Sequence, residues 1–385
     1  MNDLMFERFT DSEYARRWAG LDSILAAHDV DAVAVYGTDS ARGTVQYLSA
    51  FWPRREAYLC YSTGSDPALF VQLFNHVPTA ADMANIERVE WAGPNSAETA
   101  ARDLADRAGE GGRIGVIGPI PYRQMDHLRS TLDGHDVVDL SAAFTALRLV
   151  KSDEELDWTR RGAALTDRAM LALAAASVPG ANEHDLGAAF EATVRNGGGH
   201  PGICFLMSTP MGRPGRYVPA QHWSDRVLRG GDAVVVEMSA GYGGYTGQAL
   251  RTITVEAEPP PAFRELHEVA DAAFDAITDA IVPGASASDL LAAAAVIDDS
   301  GHTVCDDVVH GYGGGYLPPV LRTPATQHQP LRDLELLPGM FLVVQPNVIN
   351  QEGTMGVQTG HLVVVTTDGH RAMHDLPRSF LAGGA

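Results

Sequence analysis

The sequence predicts an α/β domain followed by an α+β domain built on a curved antiparallel sheet, and three observations carry that prediction. Strand-like and helix-like segments alternate as far as Leu140, the pattern of an α/β unit with a parallel or mixed sheet. A long helical region then opens with a capping signal, Ser152 followed three residues later by Glu155. Beyond it the phrase Val-Pro-Gly-Ala occurs twice, starting at Val178 and at Val282, each time between a long helix and a second helix that leads into glycine-rich strands. Two such copies point to a duplicated half-domain. At 385 residues the chain exceeds the span of about 100 to 200 residues that one core commonly serves. The expected boundaries are 1–143 and 144–385.

The elements follow in order. "TDSEYARRWAGLDSILAAH" has an N-cap signature and apolar residues at helical spacing. "VDAVAVYG", "AYLCYST" and "PALFVQLF" are expected strands, "SAETAARDLADRAG" a helix and "RIGVIGP" another strand. From "AFTALRLVKSDEEL" to "LALAAA" a continuous helical region is expected, and "LHEVADAAFDAITDAI" is its counterpart in the second half. "VVVEMSAGYGGYTGQALRT" reads as a buried strand, a glycine turn and a returning strand, a hairpin with Glu237 on one arm and Gln248 on the other.

The 28 basic residues against 49 acidic ones leave a net charge of −21, which repels nucleic-acid phosphates and anionic lipid headgroups. Neither is an expected partner, and the acidity reads as a solubility feature. Cys60, Cys204 and Cys305 are far apart and form no CxxC pair, which suits a reduced, cytoplasmic protein. The N-terminal stretch has charges every few residues and no apolar h-region, and no run reaches the roughly 18 apolar residues of a membrane span. Nucleotide-loop, G-x-S-x-G and H-E-x-x-H signatures are absent.

Five anchors fall in a single order: "LRLVKSDEELDWTRRGAALTD", "SDRVLRGGDAVVVEMSAGYGGYTGQALRT", "HGYGGG", "LLPGMFLVVQP" and "GVQTGHLVVVTTDG". Together they resemble the creatinase, prolidase, aminopeptidase P and methionine aminopeptidase family, over nearly the whole chain. The resemblance implies a creatinase-type N-terminal domain, a C-terminal domain of pita-bread fold, and a homodimer. It also implies a site: the family's peptidases hold two divalent ions with two aspartates on the hairpin, the histidine of His-Gly-x-Gly, and a glutamate on each of the last two strands. The matching positions here are Glu237, Gln248, His310, Gln345 and Gly360. Neutral amides and a glycine are poor company for buried cations, so no metal and no cofactor is expected. A mononuclear site on Glu237, His310 and the neighbouring His361 stays open.

The catalytic candidates are His222, His310 and Glu237. The family's substrate-facing histidine would align with Ala220, so His222 is displaced by two positions along a loop. His310 matches without an offset. Glu237 is a general acid/base or an anchor for a substrate cation, or else a structural partner of Arg251. Gln248, Gln345, His361, Arg322, Tyr245 and His200 are expected to bind substrate, His361 with the reservation that strand neighbours face opposite ways. Arg54 and Arg55 resemble residues that reach a partner's site in creatinase-type dimers. Leu317 and Pro318 stand where the peptidases have His-Glu.

The resulting expectation is a metal-independent, creatinase-like hydrolase or lyase that cleaves a C–N bond in a small polar metabolite. The alternatives are a metal-dependent Xaa-Pro aminopeptidase or dipeptidase, and a non-catalytic binding protein of the same fold.

Overall fold

A computed structural model describes residues 6–41, 43–331 and 334–384. Residues 1–5 of the N-terminal stretch read for targeting lie outside them. The chain divides into two compact units, 1–148 and 149–385.

The first unit runs α1 (Asp11–Ala27), β1 (Ala32–Gly37), α2 (Val45–Ser49), β2 (Ala57–Tyr61), β3 (Ala68–Val71), α3 (Val77–Met83), β4 (Arg88–Trp91), α4 (Ser96–Ala108), β5 (Arg113–Ile117), α5 (Tyr122–Thr131), β6 (Asp136–Asp139) and α6 (Ser141–Leu147). Among the described residues its strands form a six-stranded mixed sheet in the order β4-β3-β2-β1-β5-β6. The side-chain period of two sorts each strand between two cores. Val33, Val35, Leu59 and Leu69 pack with Leu21, Leu25 and Phe144, whereas Ala32, Ala34, Tyr58 and Phe70 pack with Ala100, Leu104 and Leu128. Phe144 sits in the first of these cores, so α6 belongs to this unit and the division falls after Arg148 rather than at 143/144.

The second unit runs α7 (Asp153–Ala176), α8 (Glu183–Asn196), β7 (His200–Pro210), β8 (Asp232–Tyr242), β9 (Tyr245–Thr254), α9 (Pro261–Asp279), α10 (Ala287–Ala293), α11 (Ala295–Asp299), β10 (Thr303–Val304), β11 (Val309–Tyr312), β12 (Tyr316–Leu321), β13 (Phe341–Val344), β14 (Val348–Ile349), β15 (Gly360–Val365), β16 (His370–Ala372) and β17 (Leu381–Ala382). The helical region expected to run unbroken from residue 143 is two helices. Ser152 ends the interruption by capping α7, its side chain accepting from the Glu155 amide while Glu155 reaches back to the Ser152 amide. Both duplicated turns use the same device: Asn182 and Asp185 box the start of α8, and Ser286 and Asp289 box the start of α10.

Among the described residues the second unit's main sheet has nine strands, in the order β12-β11-β13-β15-β9-β8-β7, with β16 on β15 and β17 on β9. All pairings but that of β17 are antiparallel, giving the curved pita-bread sheet. α7 closes tightly on the β8–β9 hairpin because glycines stand at the contact. A Cβ on Gly162 would lie 2.5 Å from the Tyr245 carbonyl, and one on Gly247 would lie 2.4 Å from the Ala163 Cα. Thr166 Oγ1 donates to the Gly247 carbonyl at 2.8 Å and accepts from the Ala240 amide at 2.8 Å, tying the helix to both arms. The hairpin turns at Gly243 and Gly244, whose φ values of 54° and 91° are those of a two-residue turn that L side chains resist.

Candidate active site

Strand register decides which side chains share a face. Glu237 pairs with Leu250 and Ser239 with Gln248, so Glu237 and Gln248 project from the same side of the hairpin. Arg251, one residue out of phase, projects from the other side. It is fully buried there, and its guanidinium donates to the carbonyls of Leu250, Gly360, Leu376 and Pro377. It clips the C-terminal strap to the sheet and does not pair with Glu237.

On the site face a line of hydrogen bonds runs across strands. Gln248 Nε2 donates to Glu237 Oε1 at 3.0 Å and to Gln345 Oε1 at 2.9 Å. Gln345 Nε2 donates to Asp307 Oδ2 and to the Asp307 carbonyl, both at 3.2 Å. Asn347 donates to the same carbonyl at 2.7 Å, and Tyr316 donates its phenol proton to Asp307 Oδ1. Two carboxylates are thus joined by an amide bridge. Gln358 also hydrogen bonds Glu237, leaving its own Oε1 buried without a partner.

His310 stands on β11 beside this line. Its Nδ1 lies 3.0 Å from the Gly311 carbonyl, which can only accept, so Nδ1 carries the proton and Nε2 the lone pair. Nε2 is buried and faces Gln345 without forming a hydrogen bond of sound geometry. Tyr316 stacks on the ring at 4.0 Å and 18°, and Tyr312 meets it edge-on at 5.5 Å. Tyr316 keeps 55% of its surface in solvent while its hydroxyl turns inward, so it roofs the histidine and Asp307. Gly311 permits the close return of β12, since a Cβ there would lie 2.2 Å from the Pro318 carbonyl.

Burial, reinforced by the charge of Asp306, pushes the Glu237 carboxyl up to about 7 against the opposing Gln358 hydrogen bond. Asp307 rises to about 8, again chiefly through burial, with the Tyr316 hydrogen bond working the other way. His310 falls to about 4 because burial disfavours the imidazolium. Around neutral pH the histidine is therefore neutral while both carboxyls lie near their midpoints.

The other candidates are dispersed. His222 lies in an exposed loop, and among the described residues no hydrogen bond, ion pair or ring contact of the site involves it. That loop is held by Glu183, which accepts from the amides and hydroxyls of Ser208 and Ser224. Tyr245 points toward α7 and donates to Glu155 at 2.7 Å. His361 takes the opposite face, over Phe274 and near His374. His200 packs its ring on Gly241 of β8. Arg322 is half-buried after β12, where it influences Cys305. Arg54 is exposed and pairs with Asp39 at 3.2 Å. Sequence reasoning missed Asp307, Tyr316 and Gln358. The available signal for Asp307 was an acidic pair, Asp306-Asp307, placed immediately before the apolar start of β11.

A creatinase-type first unit and a pita-bread second unit define the fold class. A model of the creatinase/prolidase N-terminal domain matches residues 17–150, and one of metallopeptidase family M24 matches residues 157–367. The chain belongs to that metallopeptidase family. It is 32% identical over 238 residues to a probable dipeptidase PepE of Mycobacterium tuberculosis, a match spanning 61% of this chain and 61% of the relative. It is 23% identical over 273 residues to a Xaa-Pro dipeptidase of Pyrococcus furiosus, covering 70% of this chain and 75% of that one. The crystal structure of dipeptidase PepE from Mycobacterium ulcerans superposes with a TM-score of 0.79 at 23% identity, covering 98% of this chain and 99% of that one. The prolidase from Pyrococcus horikoshii OT3 superposes at 0.80 with 20% identity, covering 95% and 99%.

These findings overturn the expectation of a metal-independent, creatinase-like hydrolase or lyase. The matched family is one of metallopeptidases, and the curated relatives carry dipeptidase names. The residues of this chain nevertheless do not fit a two-ion centre. The Gln248 amide turns donor hydrogens, not lone pairs, toward Glu237 and Gln345. Gly360 has φ of +128°, and a Cβ there would lie 2.1 Å from the Val344 carbonyl, leaving no room for a ligating side chain. Among the described residues no group of three or more His, Cys, Asp or Glu is placed to hold a metal ion. Nor, among them, is any helix long and apolar enough to cross a membrane.

Proposed function

We infer that the chain is a hydrolase of small peptides that cleaves a peptide bond, with dipeptides as the substrate class. The observation that carries this reading is the buried carboxyl of Glu237, set on the β8–β9 hairpin next to Gln248 and in line with a second carboxyl, Asp307. It is supported by the dipeptidase names of the relatives.

Hydrolysis of an amide needs a group that accepts a proton from water and returns one to the departing amine, which works best when its pKa lies near the working pH. Glu237, pushed up to about 7, meets that requirement. The lone pair on His310 Nε2 accepts a hydrogen bond from substrate, because burial keeps the ring neutral. Gln248 and Gln345 fix the separation of the two carboxyls, and Tyr316 roofs the site against water.

The test is release of free amino acids from a panel of unblocked dipeptides, Xaa-Pro among them, with and without added manganese, cobalt or zinc. Turnover that falls at least 100-fold in Glu237→Gln is the expected result. No turnover of any dipeptide by folded protein, with or without the ions, would overturn the reading.

A further inference from the structure

We propose that the first unit carries a binding crevice for a small aromatic cation, with Glu56 as its anionic floor and Phe74, Trp91 and Tyr122 as its rim. The proposal goes beyond the peptidase reading and does not rest on it. Every residue of the crevice lies within 1–148, and none belongs to the candidate active site.

Topology fixes where the crevice forms. Among the described strands of this sheet, β1, β3, β4, β5 and β6 run parallel and β2 runs against them. Open α/β sheets bind ligands outside the C-terminal ends of their parallel strands. At that edge lies a cavity of about 890 Å³, a size suited to a small molecule. Gln72 and Trp91 reach it from the ends of β3 and β4, Tyr122 and Gln124 from the first turn of α5, and Glu56 from just before β2. A second cavity of about 350 Å³ shares Glu56 and Gln72 with the first, so the carboxyl stands where the two meet.

The floor lacks a counter-charge. Glu56 is 8% exposed, yet its hydrogen bonds come from neutral amides. Gln72 Nε2 donates to Oε1 at 3.2 Å, and Gln124 Nε2 donates to Oε2 at 3.1 Å and to Oε1 at 3.4 Å. Among the described residues Glu56 forms no ion pair. Its charge is felt nearby: burial first, and Glu56 after it, push the Tyr36 hydroxyl up to about 12. Tyr58, two residues further on and so on the same face of the sheet, keeps a buried hydroxyl with no partner. A buried carboxylate without a cation is costly, and buried polar groups are rarely left unmatched, so a ligand that brings positive charge and N–H donors completes this end of the sheet.

The rim supplies the rest of the recognition. Phe74 is 73% exposed, Trp91 46% and Tyr122 85%, although each is a large ring on a well-formed element. Aromatic surface gathered around a concavity marks a recognition site. Phe74 and Trp91 meet edge-on at 5.9 Å. Trp91 Nε1 donates to the Gln72 carbonyl at 3.1 Å, and the Gln72 side chain donates to Glu56, so ring and carboxyl are tied through one residue. Aromatic faces attract a cation and stack on a flat ring, so one ligand satisfies both the floor and the rim. Arg123 and His127 also line the cavity, but both are exposed, where solvent screens their charge.

The experiment compares benzamidine with benzamide, which share a ring and a shape but differ in charge. Full-length protein labelled with 5-fluorotryptophan is titrated with each and followed by fluorine NMR, the Trp91 resonance being the one missing from Trp91→Phe. The expected result is a saturable shift of that resonance by benzamidine and at least tenfold weaker binding of benzamide. Glu56→Gln should erase the difference. Tyr122→Ala, an exposed position that folding does not depend on, should weaken benzamidine at least threefold. Equal binding of the two probes, no shift of the Trp91 resonance by either, or undiminished binding and preference in every folded variant would overturn the proposal. So would a dimer that Phe74→Ser converts to a monomer in light scattering, since the rim would then be covered by a second copy of the chain. The readout lies in the first unit and needs no turnover, so it stands or falls separately from dipeptide hydrolysis.

Discussion

Glu237 and His310 are both buried in the second unit, yet they move stability with pH in opposite directions. The folded state raises the Glu237 carboxyl from 4.5 to about 7, so it binds more protons than the unfolded chain between those values. Stability is therefore lost as pH rises through that window, and Glu237→Gln should flatten the loss. His310 is lowered from 6.5 to about 4, so the unfolded chain binds the extra proton and stability is lost as pH falls from 6.5 toward 4. His310→Gln should make the protein less sensitive to acid in that range. Denaturant titrations of wild type and variants from pH 4 to 8 check both signs, and a parallel pH response in the wild type and either variant would show that residue's shift to be absent.

At the scale of elements, the sheet is held by contacts on the face away from the site. Arg251 binds four backbone carbonyls from within the core, three of them in β15 and the C-terminal strap. Arg251→Met leaves those carbonyls unmatched and should cost about 3 kcal/mol in denaturant-measured stability. Gly360 makes a sharper case: its left-handed backbone and the 2.1 Å approach of the Val344 carbonyl forbid any side chain. Gly360→Glu, which would restore a carboxylate at the family's ligand position, should fail to give soluble folded protein. Recovery of a stable Gly360→Glu enzyme would mean that the β13–β15 pairing yields more readily than its geometry indicates. Ser152→Ala removes half of the α7 capping box and should cost about 1 kcal/mol.

These elements also mark how far the sequence could be read. The capping box at Ser152 and the Gly-Gly hairpin were legible because their signals lie within a few residues of one another. The break between α6 and α7 was not, since apolar spacing continues across it. Glu237, Gln248 and Gln345 were legible as a group through the resemblance. Asp307 and Tyr316 were not, because their importance arises from a hydrogen bond between strand ends and a ring stack that no linear spacing encodes. His361 illustrates the period of two: adjacent to Gly360 in sequence, it occupies the opposite face of the sheet.

At the scale of the molecule, each unit has hydrophobic cores of its own, and among the described residues none is shared between those of 1–148 and those of 149–385. A fragment of residues 1–148 should therefore unfold cooperatively by itself in a denaturant titration. A non-cooperative transition would show that its cores are incomplete without the rest of the chain. The homodimer implied by the family resemblance is measured directly by light scattering of the full-length protein, where a monomer mass would refute it.

The sequence by itself determined the class of fold, because strand and helix periods, caps and the order of the five anchors are local or ordinal properties of the chain. Only the tertiary structure decided which side chains meet at the site. The amide bridge from Glu237 to Asp307 joins residues 70 positions apart in sequence across a sheet that exists only after folding. Their shifted protonation follows from burial, a property of the packed sheet rather than of any segment of it.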